Sequence, residues 1–168
     1  MNLIVACDLD WNIGQAGKLL FRISDDLKHF RALTTGHPVI LGRKTLATFP
    51  NGLPLPQREN LIMSRNPQFT CFGATVVHNL EQLHAELLRI GDPEAFVLGG
   101  ADVYCQLLPY CRKAYVTRVF ASFSADRSFP DLNVHPDWIM LEEGPLLTSD
   151  TLTYRFYIYE NQKVRKLP

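Results

Sequence analysis

The chain has 168 residues, enough for one substantial core, and its 46% hydrophobic and 20% charged side chains exclude a disordered chain. Seventeen basic and seventeen acidic residues cancel, with no basic cluster, which argues against nucleic acid as the main partner. Cys7, Cys71, Cys105 and Cys111 form no C-x-x-C pair and the five histidines no H-x-x-x-H pair, so no metal site is expected and free thiols in a reducing compartment fit best.

Residues 2–8 form a nearly continuous apolar run, as a strand covered on both faces requires. No basic region precedes that run, Asp8 interrupts it early, and no apolar stretch approaches the roughly 18 residues of a membrane span. A cytoplasmic protein without membrane contact is expected. Residues 10–17 are polar and glycine-bearing, too long for a tight turn, and read as a functional loop. Ser24-Asp25-Asp26 opens a helix to about Thr34, with Ser24 as a capping residue and two carboxylates at the positive end. Gly36 and Pro38 stop it before a buried strand at 39–41.

A short helix follows from Arg43 to about Phe49, then strands at 61–63 and 75–77. Asn79 can cap a helix over 80–90. A strand at 95–98 leads through Gly99-Gly100 into a helix ending near Leu108, and 114–120 alternates as a strand. Residues 154–159, aromatic and β-branched, suit a final edge or antiparallel strand. This order predicts an α/β fold in one three-layer domain spanning 1–168, with a mainly parallel central sheet, an antiparallel edge strand and flanking helices.

No G-x-G-x-x-G fingerprint or Walker loop occurs, which excludes an ordinary Rossmann site. Three strand ends nevertheless carry phosphate-binding chemistry: Gly42-Arg43-Lys44-Thr45, Ser64-Arg65, and Gly99-Gly100 before Ala101-Asp102-Val103-Tyr104. Strand ends of one parallel sheet share a rim, where open α/β folds bind ligands, so a phosphorylated dinucleotide is expected there. Asp26 falls on one helix side with Phe30 and Leu33. A helix dipole favours its charged form by roughly 0.3–1 kcal/mol, whereas complete burial raises a carboxyl by up to about 3–5 units. Burial wins if Asp26 lines an apolar pocket, which would suit it to a guanidine-like edge and to proton transfer near neutrality.

Ile13-Gly14 and Gly17, Asp26-Leu27 with Phe30, Gly42-Arg43-Lys44-Thr45 and Leu55-Pro56-Gln57-Arg58-Glu59-Asn60 recur in the order of a known family. So do Gly99-Gly100 with Val103-Tyr104, Thr117, and Asp126 with Phe129-Pro130-Asp131. Along almost its whole length the chain resembles dihydrofolate reductase. The resemblance implies hydride transfer from NADPH to C6 of dihydrofolate and protonation at N5. Asp26 would hydrogen-bond the pterin N3 and 2-amino group and Thr117 would support that edge. Ile4, Val5, Phe21, Leu27, Phe30, Leu55 and Leu98 would line the substrate pocket, and Arg58 would hold the α-carboxylate of the glutamate tail. Ala6, Ile13 and Gly14 would border the nicotinamide. Arg43, Lys44, Thr45, Ser64, Arg65 and His78 would contact phosphates and adenosine, and Gly99-Gly100 would carry a cis peptide.

The chain departs from the family where Leu20-Phe21 replaces Pro-Trp, keeping an aromatic wall but losing the indole donor and the proline constraint. Ala125 replaces the usual glycine before Asp126. Riboflavin-pathway reductases share the NADPH cleft but lack the Asp26, Arg58 and Thr117 combination. A non-catalytic NADPH or folate binder is the other alternative, opposed by retention of Asp26. The oligomeric state expected is a monomer.

Overall fold

The computed structural model describes all residues, 1–168. Strand β1 (Asn2–Cys7) is followed by a hairpin, β2 (Asn12–Gln15) and β3 (Lys18–Leu19), and by helix α1 (Ser24–Thr34). Then come β4 (Val39–Gly42), α2 (Arg43–Leu46), β5 (Asn60–Met63), β6 (Thr75–Val77), α3 (Leu80–Ile90), β7 (Phe96–Gly99) and α4 (Ala101–Leu107). The last third holds β8 (Lys113–Val119), β9 (Arg127–Ser128), β10 (Trp138–Glu143), β11 (Leu147–Ser149) and β12 (Leu152–Asn161). The main sheet runs β10-β12-β8-β1-β7-β4-β5-β6, parallel from β8 to β6 and antiparallel where β12 meets β8 and β10.

Strand alternation sorts the side chains between two faces. Leu3, Val5, Ile40, Leu61 and Val97 point to one face, where Leu83 of α3 and Val103, Tyr104 and Leu107 of α4 complete the main core. Val39, Leu41 and Ile62 point to the other face, against Leu46 of α2, Leu55 and Leu98. On that second face, nearer β12, Ile23 at the start of α1 packs with Val119 and Tyr154. Helices thus cover both faces of a mainly parallel sheet, as the element order predicts.

Four local features differ from the sequence expectation. Residues 10–17 are not all loop: Ala16 (φ 48°) and Gly17 (φ 76°) both take positive φ, as a two-residue hairpin turn demands, and β2 pairs with both β3 and β9. Ser24 does not cap α1; the cap position is Ile23, with no side-chain bond, held instead by its burial in the apolar cluster. Helix α2 ends at Leu46 rather than near Phe49, ahead of a 3-10 turn at Pro50–Gly52. Strands β10 and β11 widen the antiparallel side beyond β12; all of β10 after Trp138 is exposed, so no buried face imposes an alternation on its sequence. Asn79, in contrast, caps α3 by accepting from the Gln82 amide at 2.8 Å.

Candidate active site

Asp26 lies in the first turn of α1, which packs over the antiparallel pair β8–β12, and that packing sets its surroundings. The Thr117 hydroxyl, buried on β8, donates to Asp26 Oδ1 at 2.6 Å. No protein donor reaches Oδ2. Burial pushes the Asp26 pKa above the ordinary carboxylate value, opposed by the Thr117 bond and by the nearby His29. Neighbouring Asp25 is exposed, pairs with Lys28 at 3.0 Å and is held below its ordinary value by that bond. The two adjacent acids therefore have opposite environments, and only Asp26 is tuned to hold a proton.

Asp26 opens into a small, mostly apolar pocket that gathers Ala6, Ile13, Phe21 and Leu27, with Leu19, Leu20, Arg22 and Ile23. Ile4 shares the Ala6 face of β1, and its carbonyl accepts the Tyr104 hydroxyl at 2.6 Å. Val5 departs from the expected lining role: alternation sends its side chain into the core of the opposite face, leaving only its backbone on the cleft side. Val103 and Tyr104 likewise give their side chains to that core. Farther along α1, Phe30 lies under the Arg58 guanidinium, 5.8 Å from ring centre to Cζ. Arg58 is fixed by donating to Thr34 Oγ1 (3.1 Å), Thr35 Oγ1 (3.0 Å) and the Pro56 carbonyl (2.7 Å). Burial, then the neighbouring Arg31 cation, lowers the Arg58 pKa, so an anion placed there would be welcomed. Leu55 is held nearby by Asn60, which bonds both its amide and its carbonyl.

The expected rim exists because β7, β4 and β5 are adjacent and parallel. A Cβ on Gly42 would lie 3.2 Å from Val103, and one on Gly100 would lie 3.2 Å from Thr45 Oγ1, so the two glycine junctions interlock. Gly99 has φ 95° and the Tyr104 ring packs where its Cβ would be, which only glycine permits; the Gly99-Gly100 peptide is cis. Arg43, Lys44 and Arg65 are exposed at this rim, and none is salt-bridged to an acidic group. Such a donor set fits a polyanionic nucleotide. Asp102 is exposed beside Ala101 at the start of α4. Buried Ser64 follows β5, and His78 Nδ1 bonds its carbonyl at 2.7 Å, which turns the imidazole toward the same rim. Gly14 lies in β2, where a Cβ would press on the Lys18 carbonyl at 3.1 Å.

The family description that matches is "Dihydrofolate reductase", over residues 1–162. The chain belongs to the dihydrofolate reductase family. It is 34% identical over 170 residues to the dihydrofolate reductase of Bacillus subtilis (99% of this chain, 97% of that one). It is 36% identical over 162 residues to that of Staphylococcus haemolyticus, covering 95% of each. In structure it resembles dihydrofolate reductase from Enterococcus faecalis complexed with NADP(H) and RAB-propyl, with TM-score 0.79, 28% identity and 95% of each chain covered.

Phe21 tilts against Phe123, ring centres 5.7 Å apart, and anchors the pocket wall by apolar contact alone. Two groups escaped the sequence reading of this dihydrofolate reductase family member. Asp8 is fully buried and accepts from the Asp10 and Asn12 amides (2.9 and 2.8 Å), Asn12 Nδ2 (3.1 Å) and the Phe123 amide (3.0 Å). An acid that ends an apolar strand just before a polar loop is the signal that could have found it. His29 is the other, one turn from Asp26. Asp126, quoted for the family resemblance, accepts the Ala16 amide at 3.0 Å and so ties down the hairpin turn.

Proposed function

We propose how this chain divides the work of its family's reaction, the NADPH-dependent reduction of 7,8-dihydrofolate to 5,6,7,8-tetrahydrofolate. It is an NADPH-dependent oxidoreductase. When bound, NADPH supplies the hydride that reaches C6 of the pterin.

Asp26 is the catalytic acid. Its carboxylate accepts from the pterin N3 and 2-amino group, and the upward push of burial on its pKa favours its passing a proton through water toward N5. Thr117 keeps the carboxylate in register by its 2.6 Å bond. Leu27, Phe30, Leu55, Leu98 and Phe21 exclude water from the pterin and its benzoyl extension. Arg58 grips the glutamate α-carboxylate with a guanidinium already aimed by Thr34 and Thr35. Arg43, Lys44, Thr45, Ser64 and Arg65 hold the phosphates and adenosine, the surplus cations favouring a 2′-phosphate. Gly42, Gly99 and Gly100 let the nucleotide backbone come close, and Ala6, Ile13 and Gly14 border the nicotinamide. We place the protein in the cytoplasm as a monomer of one domain, 1–168; no helix is long and apolar enough to cross a membrane.

The observation that carries the assignment of roles is the Asp26–Thr117 pair, opening on an apolar pocket. Purified protein with NADPH and dihydrofolate should consume nicotinamide absorbance, and Asp26→Asn should nearly abolish this at neutral pH. Full turnover by that variant would refute the role given to Asp26.

A further inference from the structure

Helix α1 turns two titratable side chains toward the antiparallel side of the sheet, and the reaction described above uses one. Asp26 and His29 are spaced i, i+3, which puts them on one helix face with Cβ atoms about 5–6 Å apart. Each is anchored by a different strand. Asp26 takes the Thr117 hydroxyl of β8. The His29 ring lies on Phe156 of β12, centroids 4.3 Å apart and planes tilted by 36°. Thr117 and Phe156 are directly opposite one another in the β8–β12 register. The two anchors are therefore cross-strand neighbours, and they hold the carboxyl and the imidazole over the same patch of sheet.

We propose that His29 is a positioning residue for the acid of the reaction, its imidazole titrating with Asp26 as one coupled pair across the cleft wall. This rests on Asp26 being that acid.

Most other charged or titratable groups near the pair have partners of their own. On α1, Asp25 and Lys28 pair with each other in solvent. From β12, the Tyr154 hydroxyl donates to Asp25 at 3.2 Å, and burial raises its pKa so that it stays neutral. From α4, the fully buried Tyr104 is also raised, and it spends its proton on the Ile4 carbonyl. From the segment before α1, the Arg22 guanidinium sits at the pocket edge. From β8 only Thr117 reaches the carboxylate, and it does not titrate. His29 is thus the one imidazole beside Asp26, and imidazole is the side chain whose charge responds most readily near neutrality.

The two environments push the pair together. Burial lowers the His29 pKa while the Asp26 charge raises it; burial raises the Asp26 pKa while His29 lowers it. Two groups that feel each other's charge strongly enough lose protons in macroscopic steps that belong to the pair. A protonated His29 keeps Asp26 ionised farther into acid, and so keeps it able to accept the pterin's donor edge. His29 would then extend dihydrofolate binding toward low pH.

Linkage makes the proposal testable without cofactor or substrate, because coupling between two sites must be reciprocal. Imidazole and carboxyl NMR titrations of the whole chain would follow His29 and Asp26. Asp26→Asn should lower the His29 midpoint, and His29→Phe, which keeps an aromatic ring on Phe156, should raise the Asp26 midpoint by an equal amount. His29→Gln should raise it similarly, separating loss of charge from loss of stacking. In kinetics, the acid-side rise of KM for dihydrofolate should move to higher pH in His29→Phe, by roughly threefold in KM at the wild-type midpoint, with KM for NADPH unmoved. A His29 midpoint indifferent to Asp26→Asn, or an acid limb unchanged in His29→Phe, would overturn the proposal. Turnover persisting in Asp26→Asn would instead sink the role of Asp26 as acid, and the proposal with it, even where the NMR coupling was intact.

Discussion

Thr117 and Asp26 are 91 positions apart in sequence, yet the threonine hydroxyl donates to the carboxylate at 2.6 Å from a strand that reaches α1 only through sheet assembly. The bond favours the charged acid, while burial favours the neutral one, and burial is the larger influence. Thr117→Val keeps a β-branched residue on β8 and removes the donor. The Asp26 midpoint should rise further, and kcat/KM for dihydrofolate should fall about tenfold or more, since a hydrogen bond to a charged group contributes roughly 1.5–3 kcal/mol. A pH series of initial rates measures both.

The raised Asp26 pKa also has a stability consequence. Between the unfolded and folded pKa values the folded state binds the extra proton, so stability falls as pH rises through that window. Above it, Asp26 is a net burden on the fold. Asp26→Asn should therefore raise stability at neutral pH by about 0.5–2 kcal/mol while removing activity, with the gain shrinking as the pH is lowered. Denaturant unfolding at neutral and at acid pH would show this, and a loss of stability at neutral pH would contradict it.

Arg58→Lys separates fork geometry from charge. Lysine keeps the cation but cannot make the bonds to Thr34, Thr35 and Pro56 while presenting two parallel donors. KM for dihydrofolate should rise roughly tenfold or more, with kcat little changed, in steady-state kinetics.

Gly99→Ala must place a Cβ at φ 95° and within 2.5 Å of the Tyr104 ring. Overpacking of that kind typically costs about 1–3 kcal/mol, and the left-handed backbone adds to it. Thermal unfolding should show a clear loss, and NADPH affinity should drop because α4 and the β7 end shift together.

Phe21→Trp would restore an indole N–H beside the pterin pocket, against Phe123. Single-turnover measurements should find a faster chemical step with dihydrofolate binding nearly unchanged. An unaltered step would remove water positioning as the consequence of the Leu20-Phe21 departure.

Asp8→Ala should loosen the segment that leads into the hairpin. Removing the carboxylate strands the Asp10, Asn12 and Phe123 amides together, at about 1–3 kcal/mol for each one left buried. Hydrogen exchange at those amides should accelerate ahead of the rest of β1.

Features that depend on local pattern are legible in the chain alone. Continuous apolar runs at β1, β4 and β7 state that both faces are covered, the glycine junctions state where strands end, and Asn79 caps α3 as its position predicts. Features that depend on which strands become neighbours emerge only on folding. Pairing of β12 with β8 set Phe156 opposite Thr117 and so gave both Asp26 and His29 their partners. The same assembly sent Val5 away from the cleft, replaced the expected Ser24 cap with the buried Ile23, and gave Asp8 a partner at Phe123. Nothing local marks such contacts, because burial and long-range pairing come into being only when distant segments share one sheet.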